Sequence, residues 1–152
     1  TAVFVEGGRP CRLDYRVECD ARWRTVAARV VGWLDDVAVE VAMAADLERR
    51  WSIDGRPCPE VAGCDDVDLS FTPATNLLAI RRTRVAIGQR VTVRAAWLDF
   101  PVIRLQPLEQ IYERLTDTTW RYESGGGTFT ARLETGAAGF VTAYPGLWQQ
   151  ES

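Results

Sequence analysis

The sequence has no histidine and no lysine, and all 18 of its basic residues are arginine. Without histidine, Ser-His and Cys-His nucleophile pairs and imidazole metal ligands are excluded. Without lysine, Schiff-base chemistry and the lysine of a phosphate-binding loop are excluded too. Chemistry is left to carboxylates, thiols, hydroxyls, tyrosines and arginines. Long apolar runs are also missing. Leu77-Leu78-Ala79-Ile80 is typical of the longest, whereas a membrane-spanning helix needs about twenty residues. A net charge of −3 and an isoelectric point near 5.1 leave no global basic field that would attract nucleic acid. No secretory leader is visible, although the chain starts at Thr1 rather than at methionine. The expectation is a cytoplasmic protein with no transmembrane segment and no nucleic-acid partner.

Cysteine spacing is equally uninformative for metal chemistry. Cys11, Cys19, Cys58 and Cys64 form no C-x-x-C pair, and no histidine completes a zinc set. Cys58 and Cys64 are close enough in sequence to bridge a short loop in an oxidising compartment. Cys19 reads as a small core residue, because it shares a strand face with Leu13, Tyr15 and Val17.

What is present is alternation. Val37, Val39, Val41 and Met43 fall on one strand face, as do Val67, Leu69 and Phe71. Val91, Val93, Ala95 and Trp97 repeat the pattern, and Phe129, Ala131 and Leu133 close the series. Turn signals separate the runs at Gly7-Gly8, Asp54-Gly55, Gly88, Gly125-Gly126-Gly127 and Pro145-Gly146. The 152 residues, 47% of them hydrophobic, show no repeat and no linker, so residues 1–152 read as one domain. The predicted class is mainly β, with a mostly antiparallel, curved or rolled sheet.

Two segments carry helical signals. Thr72-Pro73 is a capping threonine followed by proline at the first helical position, with Ala74, Leu77 and Leu78 on one face. Leu108, Ile111, Tyr112 and Leu115 follow i, i+3, i+4, i+7 spacing. By periodicity alone, residues 107–115 are also a helix.

Candidate chemistry is sparse. Asp65-Asp66-x-Asp68 lacks the ligand spacing of a calcium loop. On a strand, Asp66 and Asp68 would share a face, either solvated or paired with the nearby Arg81, Arg82 and Arg84. Those arginines are either an oxyanion grip or a strand edge within an ion-pair network. The triple glycine has no lysine or helix after it and reads as a hairpin tip. Six tryptophans and four tyrosines suit either a core or a ligand-lined wall. No G-x-S-x-G nucleophile elbow occurs.

Several stretches together resemble a known family. They are Asp54-Gly55; Val61 to Ser70; Thr72-Pro73-Ala74-Thr75-Asn76; Ile80-Arg81-Arg82; Cys19-Asp20-x-Arg22-Trp23-Arg24; Gln110-x-Tyr112; Arg121-Tyr122-Glu123-Ser124; and Tyr144-Pro145-Gly146-Leu147-Trp148. In that order, over residues 13–148, they resemble the putative glycolipid-binding family, a bacterial group once described only as a domain of unknown function. The family usually carries further residues before the first strand, and proline where this chain has Ala79. The resemblance implies a spiral β-roll, a long antiparallel sheet wrapped around a single helix. Only one helix candidate then fits. The expectation becomes a helix from Pro73 to about Ala79, with residues 107–115 in a strand.

The function suggested for the family rests on a similarity of shape to periplasmic lipoprotein carriers, an analogy of fold. The resemblance carries over no catalytic residue, metal or cofactor. The leading expectation is therefore non-enzymatic binding of an amphipathic ligand, such as a glycolipid, in an apolar groove between sheet and helix. The residues singled out for ligand contact are Asp68, Thr72, Asn76, Arg81, Arg82, Tyr112, Tyr122 and Trp148. Two alternatives stand beside it. One is a hydrolase-like enzyme using carboxylates in the same cleft, and the other a structural module that forms a homodimer through a sheet edge.

Overall fold

The computed structural model describes residues 1–144 and the backbone of residues 148–149. Strands dominate, as the alternation predicts, and the hydrogen-bond ladders divide them between two sheets. The first is an antiparallel meander of β1 (Ala2–Glu6), β2 (Arg9–Cys19), β3 (Thr25–Leu34), β4 (Val37–Ala45), β5 (Trp51–Ile53) and β6 (Arg56–Pro57). The second runs in the order β13 (Trp148–Gln149), β12 (Val141–Tyr144), β11 (Phe129–Thr135), β10 (Thr119–Ser124), β9 (Arg104–Arg114), β8 (Arg90–Asp99) and β7 (Asp66–Leu69).

All the paired strands of the second sheet are antiparallel except β7 and β8, which run parallel. A parallel pair needs a crossover of about a dozen residues or more, usually helical. Residues 70–89 supply it. Thr72 is extended, and its Oγ1 accepts the Ala74 N–H at 3.3 Å. Pro73 then opens a 3-10 turn (Pro73–Thr75) that leads into α1 (Asn76–Thr83). The helix therefore starts where predicted but runs past Ala79. Its end is Arg84 in the left-handed conformation, with the Arg84 N–H donating to the Ile80 carbonyl at 3.3 Å. Arg81 and Arg82 thus sit in the last helical turn and not at a strand edge, because Ala79 leaves the backbone free to continue the helix.

Residues 107–115 behave as the resemblance implies and not as their local periodicity suggests. β9 pairs with β8 along Arg90–Asp99 and with β10 along Trp120–Ser124. Two ladders outweigh an amphipathic pattern of a few residues.

Two buried clusters fill the interior. Leu13, Val30, Val41, Met43, Trp51, Val67, Leu69 and Leu98 belong to one. Val93, Tyr112, Trp120, Tyr122, Leu133 and Val141 belong to the other. α1 feeds both, Leu78 entering the first and Ala79 and Ile80 the second. Cys11, Cys19, Cys58 and Cys64 are all free thiols.

Arg49 ties the first sheet to the approach of the second. It is 8% exposed, and its guanidinium donates to the Thr25, Cys64 and Asp65 carbonyls at 2.7, 3.1 and 2.7 Å. The Thr25 side chain completes the junction by accepting the Val67 N–H at 3.0 Å.

Candidate functional site

β7 is buried on both faces, and this sets the site. Val67 and Leu69 enter the first core cluster, which forces Asp66 and Asp68 to the opposite side. The two acids share a face, as the spacing predicts, but meet different fates. Asp66 is held by Arg82, whose Nε donates to Oδ1 at 3.1 Å and whose Nη2 pairs with Oδ2. Arg82 also reaches Asp65 at 3.4 Å. Burial pushes the Asp66 carboxyl up, while Arg82 pulls it back. Asp68 makes no ion pair among the described residues. Its Oδ2 accepts from Gln110 Nε2, and its Oδ1 lies 3.4 Å from the Thr75 hydroxyl. Burial raises its pKa to about 6, against the pull of the Gln110 and Thr75 hydrogen bonds.

Gln110 anchors a polar layer on the inward face of β9. Its amide nitrogen also donates to the Tyr122 hydroxyl at 2.9 Å. The Tyr112 hydroxyl donates to Asn76 Oδ1 at 2.8 Å and lies 3.3 Å from Gln110 Oε1. Tyr112 is fully enclosed, so it positions this layer from behind. Burial raises the pKa of Tyr112, Tyr122 and Tyr144, which keeps all three as protonated hydroxyls.

In front of this layer lies a cavity of about 1220 Å³, bordered by β1, the β7–α1 connection and the inner face of β8 to β12. It exceeds the roughly 300–1,000 Å³ range of most ligand pockets. Its wall has two chemistries. Phe4, Phe71 and Phe100 pack together, with Phe4 and Phe71 stacked at 6.1 Å and Phe71 edge-on to Phe100 at 5.7 Å. In a second group, Phe129 and Tyr144 stack at 6.0 Å beside Tyr122, and the tyrosine hydroxyls accompany the rings. Asp68, Thr72 and Asn76 lie at the wall with Tyr122 and Ser124.

The structure brings Asp68, Thr72, Asn76 and Tyr122 of the anticipated residues to the cavity, with Tyr112 one layer behind. Thr72 also caps the turn before α1, and its hydroxyl meets that of Tyr15 at 3.0 Å. Arg81 and Arg82 do not border the cavity. Arg81 donates to the Ala138 carbonyl and lies over the Trp23 ring at 5.7 Å. Trp148 pairs with Tyr144 in β13, and its side chain lies outside the described residues. Gln110, Tyr144 and the phenyl cluster were not anticipated. The signal for Gln110 was a polar residue in step with Leu108 and Tyr112 on an inward strand face. Among the described residues, no three acidic or cysteine side chains come together as a metal site, and no helix is long and apolar enough to cross a membrane.

The family described as Putative glycolipid-binding matches residues 1–150. The crystal structure of a DUF1089 family protein from Pseudomonas aeruginosa superposes with a TM-score of 0.87 at 34% identity. The alignment covers 96% of this chain and 80% of that one. Among curated proteins none matches. With a family match along nearly its whole length and a solved relative of the same fold, the chain belongs to the Putative glycolipid-binding family.

Proposed function

We propose that the protein binds an amphipathic ligand of the glycolipid class in the cavity between its sheets, without transforming it. The observation that carries this reading is the mixed lining, in which phenyl rings and hydroxyl, carboxyl and amide groups border one large cavity. The ligand's chain lies against Phe4, Phe71 and Phe100, where each buried methylene contributes about 0.8 kcal/mol. Its head group meets Asp68, Thr72, Asn76 and Tyr122. The two sheets act as one spiral roll closed around α1, a geometry supported by the helix feeding both core clusters. Arg81 and Arg82 lie outside the cavity lining.

Binding is favoured over acid–base catalysis because the carboxylate pair that catalysis would use is divided. Arg82 occupies Asp66, and only Asp68 faces the cavity. Native mass spectrometry of the purified protein, followed by organic extraction, tests the proposal. The expected result is a co-purifying amphiphile of defined mass, released intact. A protein that repeatedly purifies clean and takes up no added glycolipid would refute carriage.

A further inference from the structure

Building on the binding reading above, we infer that the head-group subsite accepts an uncharged, hydroxyl-rich head group and rejects anionic amphiphiles, with Asp68 enforcing the rejection.

The first observation is the absence of a basic side chain among the described lining residues. With no lysine or histidine in the sequence, only arginine could supply a basic side chain. No arginine borders the cavity among the described residues, and residues 145–152 contain none. Among the described residues, the acids that border it are Asp68 and Glu6. A sulfonate, phosphate or carboxylate head entering beside Asp68 would lose its water, meet no guanidinium and face a like charge. That combination is strongly unfavourable in a low-dielectric pocket.

The second observation is unused hydrogen-bonding capacity. An ionised carboxylate offers about four acceptor positions. Asp68 spends one on Gln110 and one on the distant Thr75 hydroxyl at 3.4 Å. Arg82, which pairs with the neighbouring acid on β7, is occupied by Asp66 and Asp65. Tyr122 accepts from Gln110 and retains its own proton to donate. Donors and acceptors side by side match a sugar hydroxyl, which does both, and mismatch an anion, which only accepts.

Asp68 also makes the rejection pH-dependent. The groups facing it are Asp66 with its Arg82 partner on β7 and α1, Thr75 before α1, Gln110 and Tyr112 on β9, Tyr122 on β10 and Tyr144 on β12. The tyrosines stay neutral across the working range; Asp66 is paired with Arg82 and Glu6 borders the cavity from β1, so Asp68→Asn isolates the share of the change that Asp68 carries. Once protonated it becomes a neutral donor.

Two probes of equal chain length test this by calorimetric titration below their micelle concentrations. They are dodecyl maltoside, which is neutral, and dodecyl sulfonate, which is anionic at every working pH. At about pH 8 the maltoside should bind at least about tenfold more tightly than the sulfonate. Lowering the pH to about 5 should raise sulfonate affinity about tenfold and leave the maltoside little changed. Asp68→Asn should bring the two affinities close together and abolish the pH effect. The wild-type pH series stands even if that variant does not fold. Equal binding of both probes at the higher pH, or a preference unchanged in folded Asp68→Asn, would overturn charge selection and leave the binding reading intact. No binding of either probe would overturn both.

Discussion

Asp68 and Asp66 sit two residues apart on one strand face, and a single arginine separates their chemistry. Arg82 holds Asp66, while Asp68 keeps only neutral donors and rises to about 6. In the unfolded chain an aspartate titrates near about 4. Between those values the native state holds a proton that the unfolded state has lost, so stability falls as pH rises through this window and levels off above it. At about 1.4 kcal/mol for each pKa unit, the loss is bounded at about 3 kcal/mol. Asp68→Asn should therefore match the wild type near about pH 4 and exceed its stability by up to about 3 kcal/mol near pH 8. Urea midpoints at the two pH values check this. A variant equally stable or less stable at the higher pH would contradict it.

At the scale of elements, the β2–β3 hairpin shows how closely backbone can approach backbone. A Cβ added to Gly32 would lie 1.9 Å from the Arg12 carbonyl oxygen in the paired strand. Gly32→Ala must push that ladder apart and should cost about 2–3 kcal/mol, read as a lower thermal midpoint with faster amide exchange in β2. Most elements were legible in the sequence because alternation is local. The runs around Val41, Val67, Val93 and Leu133 all became strands with those residues buried. The start of the helix was legible too, since Thr72-Pro73 is a local capping signal. Its end was not. The spacing of Leu108, Ile111, Tyr112 and Leu115 pointed the wrong way, because strand pairing on both sides of β9 is a property of distant residues.

At the scale of the whole molecule, the cavity exists because two sheets are held at a fixed separation, and Arg49 is central to that hold. Its three hydrogen bonds reach backbone carbonyls from Thr25 to Asp65. Arg49→Met keeps much of the volume but removes all three bonds; Trp51 Nε1 still reaches the Cys64 carbonyl and the Thr25 N–H the Asp65 carbonyl, yet each hydrogen bond lost from a charged donor is worth about 1.5–3 kcal/mol. The variant should lose about 3 kcal/mol or more by denaturant titration, and should also weaken amphiphile uptake through misalignment of the cavity walls. Unchanged stability would show that Thr25 and Val67 suffice to join the sheets. No sequence signal marked Arg49 above its neighbour Arg50, which pairs at the surface with Asp46 and Glu48.

The sequence by itself determined the chemical vocabulary. With neither histidine nor lysine, any cation must be an arginine, and any site must use carboxylates, hydroxyls, amides and guanidiniums. It also determined the strand-rich class and the family, since alternation and ordered motifs are written along the chain. Only the tertiary structure decided where each arginine went. Pairing Arg82 with Asp66 across the crossover, and leaving Asp68 to Gln110 and the cavity, depends on strands distant in sequence meeting in one register. Such contacts form between residues that local patterns cannot connect, and they place Asp68, without an arginine partner, at the wall of a cavity whose chemistry the composition had only bounded.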